Sequence, residues 1–99
     1  MTPNTMTRNT KKANTVSTSA TDLAVLGQAL RVLRERAGTT QARLAAVLQM
    51  DPTYVSRIEH GRRGVQWLTV LRFLRALDVD LHQLADAMTE VEKPRRARK

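Results

Sequence analysis

Two helix-length apolar patterns flank only three residues, Gln49 to Asp51, and this spacing limits the fold more than any other feature of the chain. Leu44, Ala45 and Leu48 give the first pattern one apolar face, and Val55 and Ile58 give the second pattern another. Thr40 is suited to cap the first helix, expected over roughly 41–48. Asp51 and Pro52 form a strong start for the second, because Asp caps and a proline at the first helical position loses no hydrogen bond. That helix is expected to run to about His60. Two short helices must therefore meet at a tight turn.

The same reading extends in both directions. Leu23, Leu26, Leu30 and Leu33 form one helical stripe from about Asp22, with Gln28, Arg31 and Glu35 off it, and Gly38 ends that helix. Gly61 and Gly64 bracket a basic loop, Arg62-Arg63. A fourth helix is expected over about 66–77, with Leu68, Leu71 and Leu74 on its stripe and Val70, Phe73 and Leu77 broadening it. Trp67 is expected to pack in the core or at its edge. Asp80 with Gln83 reads as a capping box for a fifth helix, whose apolar face is Leu81, Leu84 and Met88. Pro94 and the charges around it mark the expected end of the fold. No segment alternates with period two for long enough to make a strand, so the expected class is all-α with five helices. Residues 1–21, rich in Thr, Asn and Ser, are expected to be a disordered basic arm, 22–90 the domain, and 91–99 a basic disordered tail.

Charge narrows the partners. The chain carries a net +8, unevenly placed. Arg8, Lys11 and Lys12 meet no acid in residues 1–21, and Lys93, Arg95, Arg96, Arg98 and Lys99 face only Glu92 in 91–99. Between them nine arginines meet eight acids. Such a balance points to a polyanion, although basic tails alone would serve RNA, DNA or a membrane surface equally. The absence of cysteine excludes a disulfide framework and a thiolate zinc site. There is no apolar run of membrane-spanning or signal-peptide length, so the expected location is cytoplasmic. Three aromatic residues are too few for a single-strand stacking platform.

Two short helices about a three-residue turn have helix-turn-helix geometry, and here the residues carry a longer pattern. Leu26-Gly27, Leu30-Arg31, Arg34, Gly38-Thr39-Thr40-Gln41, Leu44-Ala45, Val55-Ser56, Ile58-Glu59 and Gly61, then Leu71, Ala76-Leu77, Val79 and Leu84, resemble the lambda-repressor/Cro-like family, often called the XRE family. The resemblance spans roughly residues 23–88. It implies a five-helix lambda-repressor-like domain that binds double-stranded DNA, with helix 52–60 in the major groove. It implies further that Thr53, Tyr54 and Arg57 meet bases, Pro52 serving to set the helix start. Arg57 shares a face with Thr53 and suits the guanine edge. Gln41, Arg43, Ser56, His60, Arg62 and Arg63 are the implied phosphate contacts. Arg34 and Glu59 match a family ion pair that ties the first helix to the third, a structural role. The expected function is that of a sequence-specific transcriptional regulator, by default a repressor, bound as a homodimer to a two-fold operator without cofactor or metal.

Three positions depart from the family pattern. Gln49 stands where the turn ordinarily has glycine, a position that calls for positive φ and predicts strain. Arg43 replaces an acid in the first helical turn, where a cation opposes the helix dipole unless phosphate lies near. His60 stands where a small amide is usual. Rival readings are an antitoxin that binds a toxin partner and represses its own operon, and an adaptor that has lost DNA binding. An enzyme is the least supported class: Ser56 and His60 are four apart on a helix but lack an orienting acid and an oxyanion hole.

Overall fold

The computed structural model of the chain describes residues 20–97. Within them lie five helices and no strand: α1 Ala20–Arg36, α2 Gln41–Leu48, α3 Pro52–Glu59, α4 Trp67–Leu77 and α5 Leu81–Ala97. The arm expected over 1–21 lies outside the described residues, except that α1 already includes Ala20 and Thr21. The last helix runs on through Pro94 to Ala97, past the boundary expected at that proline. Proline removes a single donor from the helical ladder, the one that would reach the carbonyl of Glu90, and here the helix continues beyond it.

Each boundary has a local cause. Thr40 accepts from the Arg43 N–H at 3.1 Å to open α2, and Asp51 accepts from the Thr53 N–H at 2.8 Å to open α3. Asp80 and Gln83 exchange reciprocal bonds of 2.9 and 3.0 Å at the start of α5. Four helices close in the same way, on one left-handed residue each: Gly38, Gln49, Gly61 and Asp78. At the end of α2 the Gln49 N–H reaches the Ala46 carbonyl and the Met50 N–H the Ala45 carbonyl, a Schellman closure.

Gln49 sits at φ 58°, so the strain expected from the sequence is present. A left-handed conformation costs a side-chain-bearing residue about 1–2 kcal/mol, against about 0.5–1 kcal/mol of extra unfolded-state entropy for glycine. Gln49→Gly is therefore expected to stabilise the domain by about 0.5–1 kcal/mol, read as a higher urea midpoint with unchanged slope. A lower midpoint would show that the Gln49 side chain contributes more than its backbone costs.

The core draws on all five helices. Phe73, Leu30, Ile58 and Val55 are its largest fully enclosed side chains, with Leu33, Leu44, Leu48, Val70, Leu74, Leu77 and Leu84 around them. Helix α1 lies against α3 on one side and α5 on the other, so its buried surface is wider than one stripe. It encloses Val25, Gly27 and Ala29 with Leu30 and Leu33, while Leu23 and Leu26 are only half-buried. Two expectations for α4 are corrected. Leu68 is 69% exposed and Trp67 57% exposed; the inward set is Val70, Phe73, Leu74 and Leu77. Both sets satisfy helical spacing, and the one holding Phe73 faces the core. In α5, Leu81 is 48% exposed where an inward residue was expected, and Leu84 and Ala87 are enclosed instead.

Candidate nucleic-acid interface

Helix α3 turns Val55, Ile58 and Glu59 into the protein, half-buries Tyr54 and Ser56, and leaves Pro52, Thr53 and Arg57 exposed. Thr53, Arg57 and His60, spaced by four and then three residues, form an exposed stripe along it. Pro52 is exposed at the helix start, and Ser56 is half-buried. Tyr54 does not project freely: it is half-buried, packs on the core, and lies under the Arg63 guanidinium, whose carbon is 4.9 Å from the ring centre.

Of the six expected phosphate contacts, Ser56 is half-buried with its hydroxyl 3.4 Å from His60 Nδ1, and the other five fall into two groups. Arg43, Arg62 and Arg63 are exposed cations, Arg43 in the first turn of α2 and the other two in the loop after α3. Gln41 and His60 already hold partners. The Gln41 amide nitrogen donates to the Glu59 carboxylate at 2.8 Å, so one of its two hydrogens is spent inside the protein. His60 Nδ1 lies 2.8 Å from the Ser56 carbonyl, an oxygen that can only accept. A hydrogen bond to that oxygen uses Nδ1 as the donor, which leaves Nε2 as the ring nitrogen not engaged by this contact.

Glu59 is the centre that fixes α3. Its carboxylate accepts from Arg34 Nε at 2.7 Å and Arg34 Nη2 at 3.0 Å, a two-point pairing, while Gln41 takes a third bond. Arg34 also donates from Nη1 to the Thr39 carbonyl at 2.9 Å. One acid thus joins α1, the turn before α2, α2 and α3. The hydrogen bonds that Arg34 donates to Glu59 raise the Arg34 pKa above that of free arginine, and they outweigh the opposing effect of burial. A folded-state pKa raised above that of free arginine adds stability that is fully present at every pH below the free value, so the Arg34 contribution does not change with pH across the neutral range.

Sequence reading missed three contacts of this site. The Gln41 bond to Glu59 and the cation–π contact of Arg63 over Tyr54 join residues whose types were noted but whose spacing gives no local signal. Arg72 of α4 donates to the Leu48 carbonyl at the end of α2, which braces the turn from behind. A cation on a helix exterior carries no mark of this role.

Among the described residues, no group of three or more His, Asp or Glu side chains could hold a metal. No helix among them is long and apolar enough to cross a membrane.

A short inner helix, a three-residue turn and an outer helix with one exposed polar face define a helix-turn-helix. The chain belongs to the family of the helix-turn-helix domain whose model matches residues 25–87. It is 36% identical over 55 residues to the HTH-type transcriptional regulator RamB of Mycobacterium tuberculosis, a match that covers 56% of this chain and 12% of that protein. The chain therefore spans only a small part of that relative. Among solved structures it resembles the restriction-modification controller protein C.AhdI from Aeromonas hydrophila, with a TM-score of 0.61 and 38% identity over 65% of this chain and 97% of that one. It also resembles the clp gene regulator ClgR from C. glutamicum, with a TM-score of 0.64 and 28% identity over 68% of this chain and 86% of that one. The all-α, five-helix lambda-repressor-like fold is common to them.

Proposed function

We propose that the chain is a sequence-specific transcriptional regulator of double-stranded DNA that inserts α3 into the major groove. The observation that carries this reading is the exposed Thr53–Arg57 stripe on a helix fixed through Glu59, with Arg43 exposed in the first turn of α2 and Arg62 and Arg63 exposed in the loop after α3. Arg57 reads a base, Thr53 reads or touches its neighbour, and the three other arginines neutralise phosphates. Repression by occupying the operator is the simplest outcome of such binding, acting in the cytoplasm at the nucleoid. Relatives named as regulators support the assignment. Titration of a duplex at increasing salt tests it: each phosphate neutralised should contribute a slope of about −0.9 in log affinity against log salt. A flat dependence would contradict the reading.

The protein acts as a homodimer on a two-fold operator, with half-sites about one helical turn, roughly 34 Å, apart. The support is an apolar face on α4 and α5. Leu68 and Leu81 are exposed, and Leu71 and Leu81 line one cleft together with Arg75 and Asp80. In a two-fold pairing Arg75 of one copy can meet Asp80 of the other, because each patch faces its own image. Leu68→Glu places a charge on this face and should leave a monomer in light scattering while the fold persists. Unchanged dimers would move the interface elsewhere. A wild-type monomer would end the homodimer reading and leave the face to another protein, as in the antitoxin alternative.

A further inference from the structure

Tyr54 stands on the helix proposed to enter DNA, yet its surroundings are not those of a base reader. One side of the residue packs on the core and Arg63 covers the ring at 4.9 Å. Arg63 comes back to it from the loop after α3, nine positions further along the chain. The loop is fastened at its start, where the Arg62 N–H donates to the Arg57 carbonyl at 2.9 Å and Gly61 takes φ 70°. Arg62 has no aromatic partner among the described residues.

From this geometry we infer that Tyr54 is a positioning residue: its ring orders the Arg63 guanidinium in the free protein so that its donors are ready to take a DNA phosphate. The inference rests on the DNA-binding reading above. A guanidinium held over a ring by a cation–π contact spends no N–H donor on a hydrogen bond, so its donors stay available for an anion. A long exposed arginine otherwise loses rotamer freedom on binding, and ordering it beforehand removes that cost from the association step. The ring and not the hydroxyl does this, so the contact is indifferent to base sequence.

The test compares wild type, Tyr54→Phe, Tyr54→Leu, Arg63→Ala and the Tyr54→Leu/Arg63→Ala double variant. Each is measured on a duplex of random sequence and on one enriched by selection. Tyr54→Phe should match wild type on both. Tyr54→Leu should weaken both by about two- to five-fold, the size of an exposed cation–π contact. Arg63→Ala should weaken both and reduce the salt slope by about 0.9. In the Arg63→Ala background, Tyr54→Leu should cost nothing further. A shift of the preferred sequence in Tyr54→Phe would overturn the inference, as would additive losses in the double variant. A second arm needs no DNA. Arg63 Hδ protons in the free protein should be shifted upfield by the ring, and the shift should vanish in Tyr54→Leu. Its absence from wild type would refute the contact, whereas wild type failing to bind either duplex would refute the DNA-binding reading alone.

Discussion

Glu59→Ala should cost the domain about 3–5 kcal/mol in chemical denaturation, with a clearly lowered melting temperature. Glu59 is almost wholly enclosed, and its carboxylate takes three side-chain bonds, two from Arg34 and one from Gln41. Its removal strands a guanidinium whose side chain is only 11% exposed. The large effect comes from that uncompensated charge, not from the net worth of the pair, since a buried pair replaced whole by apolar residues is often neutral. A small domain has only about 5–10 kcal/mol in total, so the loss is a large fraction of it. The Arg36–Glu90 pair is the control. Its 2.8 Å bond is as short, but both side chains are more than half exposed. Glu90→Ala should cost less than about 1 kcal/mol. Equal losses at Glu59 and Glu90 would show that burial is not what gives the first pair its weight.

Gly27→Ala should destabilise the fold by about 2 kcal/mol or more, against what helix propensity alone would give. Alanine in a helix interior is better than glycine by about 1 kcal/mol. Packing opposes this. A Cβ at Gly27 would stand 2.1 Å from the Ile58 carbonyl oxygen and 2.9 Å from that of Glu59. These are backbone atoms at the end of α3, so no side chain can swing aside and the two helices must separate. Overpacking of this kind costs about 1–3 kcal/mol and sometimes more, and contact with backbone belongs at the upper end. The melting temperature should fall by roughly 4–8 °C per kcal/mol lost. A variant as stable as wild type would mean that α1 and α3 do not cross this closely. Because the same crossing holds Glu59 and with it the outward face of α3, weakened DNA affinity should accompany the loss.

Much of this arrangement can be read from the chain alone, and the reasons differ by residue. Thr40, Asp51-Pro52 and the Asp80–Gln83 pair announce helix starts because capping depends on atoms within four positions. The strain at Gln49 was visible through the family pattern. Faces were harder. Leu68 and Leu81 satisfy the helical period as well as the residues that are enclosed, and periodicity alone cannot tell a core face from one left for a partner. Trp67 was misread for the same reason: a large apolar side chain signals burial, but not by what. The bonds that position α3, from Gln41 to Glu59 and from Arg72 to Leu48, join elements 18 and 24 residues apart. No local pattern encodes them. The end of α5 escaped because Pro94 reads as a stop, although it removes one bond and not the helix.

Sequence-specific binding, as proposed, requires that α3 present Thr53 and Arg57 to base edges. Enrichment of duplexes from a random pool, run in parallel with wild type and Arg57→Ala, tests this most directly. Wild type should return a two-fold symmetric sequence, and Arg57→Ala should lose about 1–3 kcal/mol on it, with preference relaxed at one base pair of each half-site. A wild-type pool without any preferred sequence, or an Arg57→Ala pool identical to that of wild type, would contradict it.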